Sequence, residues 1–314
     1  MSYYGEQEQN ETTPLWFSPT DWLVHGYLDQ PAPIESNIGT LDMMLGGGFQ
    51  PGVWCVMAEP GAGKSAFGLR LVLSAALNRS TSAYISLEMP AYQCWSRIVS
   101  AYSYYEPDLA NKFKWTDVPR LGREAAAIYG GNRSAILDSD DLVAYMTREV
   151  ETHCPGILIT DTPDARSLDR LRTIIECAKV NDAGIVVVDY MQQITTAPGA
   201  KAYDRVSEVS AALKDTANML KIPIVVIVSM NRESMRGKEP DMHGGSGSAS
   251  IEYDAVGIMT LKKIEDKSTK DCRRVELKLQ KNRYGYAGGS VMLDYWPAYN
   301  VFYEAGKFEE QPCE

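Results

Sequence analysis

Residues 58–66 read AEPGAGKSA, between an apolar run, VWCVM, and a segment with helical patterning, FGLRLVLSAAL. Strand, glycine-bearing turn and helix in that order form the context in which such a stretch cradles phosphate. Gly61 and Gly63 let the backbone approach an anion, while successive N–H groups and the helix N-terminus face it. Lys64 reaches the outer phosphates and Ser65 can hold Mg²⁺. Ala58 stands where such motifs start with Gly, a position that needs only a compact residue. The candidate cradle is thus Glu59, Pro60, Gly61, Ala62, Gly63, Lys64, Ser65 and Ala66, and the expected cofactors are ATP and Mg²⁺.

Outward from this loop the chain alternates between apolar runs of strand length and helical periodicity. The runs are VWCVMA (53–58), SAYISL (82–87), GILIT (156–160), GIVVVD (184–189) and IPIVVIVS (222–229). Near-continuous apolar character rich in β-branched residues predicts strands covered on both faces. Between them, SLDRLRTIIECAK places Leu168, Leu171, Ile174, Ile175 and Ala178 on one helix face. DRVSEVSAALKDTANMLK does the same with Val206, Val209, Leu213, Ala217 and Leu220. The fold class expected is α/β, a P-loop NTPase with a mainly parallel twisted sheet and helices on both faces. The C-terminal pieces AVGIMTLKK, RRVELKLQK, GSVMLDYW and YNVFYE are expected to add antiparallel strands at one edge.

With 314 residues, 45% of them hydrophobic, the chain can bury a substantial core, and one domain with tails is expected. A formal net charge of -10 argues against coating nucleic acid with the whole surface, leaving a local basic loop or an oligomer pore. The six cysteines are scattered without CxxC spacing, so neither a zinc site nor a disulfide framework is suggested, and a reducing cytoplasm is the expected compartment. No apolar run approaches the roughly 18 residues of a membrane span, and MSYYGEQEQNETT lacks the regions of a signal peptide. Residues 1–34 read as a mobile tail and linker, 35–304 as the ATPase domain and 305–314 as a C-terminal tail. Within the linker, TDWLVHGYLDQ offers a candidate docking helix at about residues 20–29, presenting Trp22, Leu23, Tyr27 and Leu28 either to its own domain or to a neighbouring subunit.

Hydrolysis needs a metal-side carboxylate and a group that positions water. Asp189 ends a buried strand and supplies the first; Glu88, just past SAYISL, is the candidate for the second. Strand C-termini line the ligand crevice of an open α/β sheet, so Lys64, Glu88 and Asp189 are expected to converge. From position alone, the alternative reading of Glu88 is a solvated loop carboxylate.

The ordered set IGTLDMMLGGGFQPG, the P-loop, AYISLEM, ITDTP, VVVDYMQQ, IPIVVIVSMNR, GSGSASIEYDA and KNRYGYAGGSV resembles the C-terminal ATPase domain of DnaB-type replicative helicases, part of the RecA-like group, over about residues 36–303. The resemblance implies that Glu88 is the catalytic glutamate and Asp189 the Walker B aspartate. It makes Lys281 and Arg283 finger residues acting on a neighbouring subunit's ATP; read alone, they are an ordinary charged strand end. It implies a hexameric ring around single-stranded DNA, 5′ to 3′ movement, and a primase or loader as partner. The family's DNA-binding pore loops match TTAPGAKAYDR and NRESMRGKEPDMHGGSGSAS, and the second is the better candidate, where Arg232, Arg236 and Lys238 bring charge and Ser246, Gly247 and Ser248 bring small residues. Two departures stand out: Ser229 replaces a family sensor Gln, and Ser246 replaces a family Arg. Two rival readings share the same cradle: an ATP-gated assembly or regulatory ATPase, and a strand-exchange recombinase.

Overall fold

The five apolar runs become five adjacent parallel strands, four of them inside the sheet because a strand apolar on both faces needs cover on both sides, while the run at 157–160 is the half-buried edge. The structure, a computed structural model, describes residues 18–19, 30–105, 114–128, 142–196, 202–230 and 248–306. The chain divides into two compact units, Met1–Ala32 and Pro33–Glu314, and the sheet belongs to the second.

In chain order, α1 (Gly39–Leu45) precedes β1 (Gly52–Ala58), α2 (Lys64–Leu77) and β2 (Thr81–Ser86). Then come α3 (Ala91–Tyr105), α4 (Val118–Ile128), α5 (Leu142–His153), β3 (Ile157–Thr160), α6 (Leu168–Val180) and β4 (Ala183–Asp189). The helix α7 (Ala202–Leu220) leads to β5 (Pro223–Ser229), and α8 (Ser248–Asp254) to β6 (Gly257–Lys263). The last strands are β7 (Arg273–Asn282), β8 (Ser290–Trp296) and β9 (Val301–Glu304). Among the described residues the sheet order is β3-β2-β4-β5-β1-β6-β7-β8-β9.

Alternation of side chains sorts each central strand into two cores. On one face Trp54, Val56, Ile185, Val187, Val225 and Ile227 pack with Phe67 and Leu71 of α2. On the other, Val53, Cys55, Val186, Val188, Ile224 and Val226 pack with Leu171 and Ile175 of α6 and Leu213 and Ala217 of α7. The predicted faces of α6 and α7 are those that meet the sheet, with Ile174, Val206 and Leu220 at their partly buried margins.

One expectation is corrected. The piece AVGIMTLKK is not antiparallel: β6 runs parallel to β1 in the register Trp54↔Gly257 to Ala58↔Leu261. The connection from β5 to β6 passes over β1 and carries α8, and a crossover of that kind returns the chain in the same direction. Only β7, β8 and β9 are antiparallel among the described strands. Gly257 opens β6 against the Trp54 ring, where an added Cβ would lie 2.1 Å from Trp54 Cζ3. No helix among the described residues is long and apolar enough to cross a membrane. The candidate docking helix at 20–29 lies outside the described residues, as do Arg232, Arg236, Lys238, Ser246 and Gly247.

Candidate active site

The cradle leaves β1 at Ala58 and enters α2 at Lys64. Gly63, at φ 90°, sits in the left-handed region that favours glycine. Space imposes the same choice, since a Cβ there would lie 2.9 Å from Tyr295 Cε1 and 3.1 Å from Phe302 Cζ. Those two rings stack with centroids 4.3 Å apart and form a hard wall beneath the loop. Arg273 Nη1 donates to Gly61 O at 2.6 Å. The carboxylate of Glu59 is engaged by the backbone of β6, its Oε1 accepting from Lys263 N at 3.0 Å. Pro60 and Gly61 are exposed, Ala62 and Ala66 buried, and Gly63, Lys64 and Ser65 half-buried in the turn that opens α2.

Asp189, the last residue of β4, is fully buried. Its Oδ2 accepts from the Tyr84 hydroxyl at 2.6 Å, and its Oδ1 has no hydrogen-bond partner among the described residues. Tyr84 reaches it from β2, where the register pairs Tyr84 with Val187 and Ser86 with Asp189. Burial, then the Asp189 charge, push the Tyr84 phenol well above its ordinary range, so the hydroxyl stays protonated and serves as donor. A buried carboxylate with one oxygen unclaimed leaves a strong acceptor in want of a cation or a water. Such a carboxylate fits Mg²⁺, and Ser65 in the first turn of α2 is the residue that would supply a second ligand. Lys64 Nζ lies 5.3 Å from the centroid of the Tyr190 ring, which brings the cradle lysine to the residue after Asp189.

Glu88 follows β2 on a turn closed by Ser86, whose Oγ donates to Met89 O at 2.6 Å and accepts from Met89 N at 3.0 Å. Leu87 N donates to Asp189 O at 2.7 Å, so the turn that carries Glu88 is pinned to the end of β4. Glu88 is exposed and lines a cavity of about 210 Å³ with Asp161, Thr162 and Arg166. Arg166 Nη2 closes one side by donating to Leu87 O at 3.0 Å. Lys64, Asp189 and the Glu88 turn thus all lie at the C-terminal ends of parallel strands, while the cavity that Glu88 lines is shared with Asp161, Thr162 and Arg166 and not with Lys64 or Asp189.

Ser229 ends β5, and the side chain of Gln192 clasps its backbone. Gln192 Nε2 donates to Ser229 O at 2.9 Å, and Ser229 N donates to Gln192 Oε1 at 3.2 Å. Lys281 and Arg283 lie apart from the cradle. Eight positions of β7 separate Lys281 from Arg273, about 26 Å at roughly 3.3 Å per residue. Lys281 Nζ donates to Glu252 O and Arg283 Nη2 to Tyr253 O, the latter at 2.6 Å. Both cations therefore sit at the C-terminal end of α8, where unpaired carbonyls and the helix dipole favour positive charge. Burial, then the charge of Arg283, lower the pKa of Lys281. The helix α8, which Ser248 opens, is fastened to α7 by Ser207 Oγ–Ser250 Oγ at 2.6 Å and Lys214 Nζ–Asp254 Oδ1 at 3.0 Å.

Sequence reasoning missed Tyr84, Gln192, Arg273 and the Tyr295–Phe302 wall. Tyr84 carried a faint signal, the lone aromatic hydroxyl within an otherwise small or apolar run, but its partner depends on β2 lying beside β4. Nothing in RRVELKLQK singles out Arg273 from its neighbours.

Residues 33–304 match the family model described as DnaB-like helicase C terminal domain. The replicative DNA helicase DnaB of Geobacillus stearothermophilus is 26% identical over 287 residues, 89% of this chain and 58% of that protein. The chain therefore spans little more than half of that relative's length. Among solved structures, one ATPase domain has a TM-score of 0.69 at 21% identity, over 91% of this chain and 98% of that one. "The Structure Of A DnaB-Like Replicative Helicase And Its Interactions With Primase" also gives 0.69 at 21% identity, over 91% and 68%. The fold is RecA-like, a mostly parallel mixed sheet between helices.

Proposed function

The chain belongs to the DnaB-like helicase C-terminal domain family, and from that premise we propose that it is the ATP-hydrolysing subunit of a DNA helicase. In this reading it forms a hexameric ring and moves 5′ to 3′ along single-stranded DNA during replication. The observation that carries the reading is the buried Asp189 carboxylate, one oxygen of which is unclaimed among the described residues, with the cradle lysine Lys64 against the adjacent Tyr190. ATP with Mg²⁺ supplies a phosphoryl group whose transfer to water drives movement. Lys64 neutralises the outer phosphates, Ser65 and Asp189 hold the cation, and Glu88 orients the attacking water. Lys281 and Arg283 serve the site of the next subunit, a reading supported by their distance from the cradle of their own chain. DNA is contacted by Arg232, Arg236, Lys238, Ser246, Gly247 and Ser248, with Ser229 at the root of that segment. The cytoplasm is the compartment that suits this work, and a primase or loader is the partner expected, supported by the solved structure of a similar protein with its primase.

A DNA-stimulated ATPase assay tests the reading. Turnover is expected to rise severalfold with a single-stranded oligonucleotide, and Glu88→Gln should retain ATP binding while losing turnover by about 100-fold or more. Turnover indifferent to DNA would replace the motor with an ATP-gated assembly ATPase. Wild-type turnover in Glu88→Gln would remove Glu88 from the mechanism.

A further inference from the structure

The antiparallel edge of the sheet grips the phosphate loop through one cross-strand pair. Arg273 of β7 and Tyr295 of β8 are direct partners in the ladder, so their side chains leave the same face. That face also carries Val275, Leu277 and Leu279 into the core shared with α2. Tyr295 fills the space beside Gly63, and Arg273 donates to the carbonyl of Gly61 at 2.6 Å. The Arg273 guanidinium stands 6.0 Å from the Tyr295 ring centroid, at the limit of cation–π range. Its neighbour Arg274 is fixed across the strands by Asp294, with contacts of 2.5 Å and 3.2 Å. The root of the Arg273 side chain is therefore anchored.

The consequence concerns one peptide plane. Gly61 O and Ala62 N belong to the same peptide unit; the carbonyl is held by Arg273, and the N–H donates to Glu59 O at 3.2 Å. A glycine at φ 86° has few steric restraints of its own, so these two bonds are what fix the plane. With it fixed, the N–H groups of Gly63, Lys64 and Ser65 are left to face an anion.

We propose that Arg273 is a positioning residue for nucleotide binding. It locks the Gly61–Ala62 peptide and adds a guanidinium charge beside the phosphates. This inference rests on the cradle being a nucleotide site and is independent of DNA and of the ring.

The test is binding of a fluorescent ATP analogue, with Mg²⁺, to the full chain and to Arg273→Ala, alongside thermal melts without nucleotide and steady-state kinetics. Arg273→Ala is expected to raise the Kd for the analogue and the KM for ATP about five- to tenfold, as loss of a charge-assisted bond at an exposed site implies. The change in kcat and in the nucleotide-free melting temperature should be far smaller. Arg273→Lys keeps the charge without the planar fork and should recover part of the affinity. Wild-type affinity in Arg273→Ala overturns the proposal, as does a loss of affinity matched by a general loss of stability. If the wild-type chain itself fails to bind the analogue, the nucleotide reading falls and this inference falls with it.

Discussion

Replacing Tyr84 with Phe removes one hydroxyl and leaves the packing of the ring in place. Tyr84 is fully buried, its O–H is the donor to Asp189 Oδ2 at 2.6 Å, and Asp189 Oδ1 already lacks a partner among the described residues. In Tyr84→Phe neither carboxylate oxygen keeps a side-chain donor among the described residues, and a charged acceptor is stranded at the end of β4. A hydrogen bond to a charged group contributes about 1.5–3 kcal/mol, so a loss of about 2 kcal/mol is expected without metal. For a unit of this size that is a fall in Tm of about 4–6 °C. Differential scanning fluorimetry in chelator reads it directly. Adding Mg²⁺ with ATP should recover part of the loss, since the cation compensates the stranded charge. A variant that melts within about 1 °C of wild type in chelator would refute the reasoning, because Asp189 would then not depend on this hydroxyl.

Gly257→Ala should cost about 3 kcal/mol, because the new Cβ would stand 2.1 Å from the buried Trp54 ring; the urea midpoint measures it. Arg283→Ala and Lys64→Ala should each hydrolyse ATP poorly, yet mixed rings should regain part of the turnover where an intact cradle meets an intact finger. No recovery at any mixing ratio would refute action in trans.

The parallel half of the sheet was legible because its strands are apolar on both faces, and runs such as GIVVVD have few alternatives to a buried strand. The turn between β1 and α2 and the strand end at Asp189 were legible in position for the same local reason, since motif and element boundary lie within a few residues of each other. The direction of β6 was not: AVGIMTLKK looks like the antiparallel pieces after it, and the crossover that sets it depends on β5 and β6 flanking β1. Tyr84, Arg273 and Gln192 act through partners 105, 212 and 37 positions away in sequence. Each is an ordinary residue until the strand order brings its partner within reach.

In the proposed ring, Lys281 and Arg283 have two claimants. In the single subunit they terminate α8 by donating to Glu252 O and Tyr253 O. In the proposed ring, a reach toward a neighbour's phosphate would leave those carbonyls bare, and the stability of a seven-residue helix would be traded against hydrolysis in the next subunit. The other end of that helix, Ser248, is where the chain emerges from residues 231–247. In that ring the helix and the neighbouring site would compete for the same two cations, and what stiffens one would starve the other.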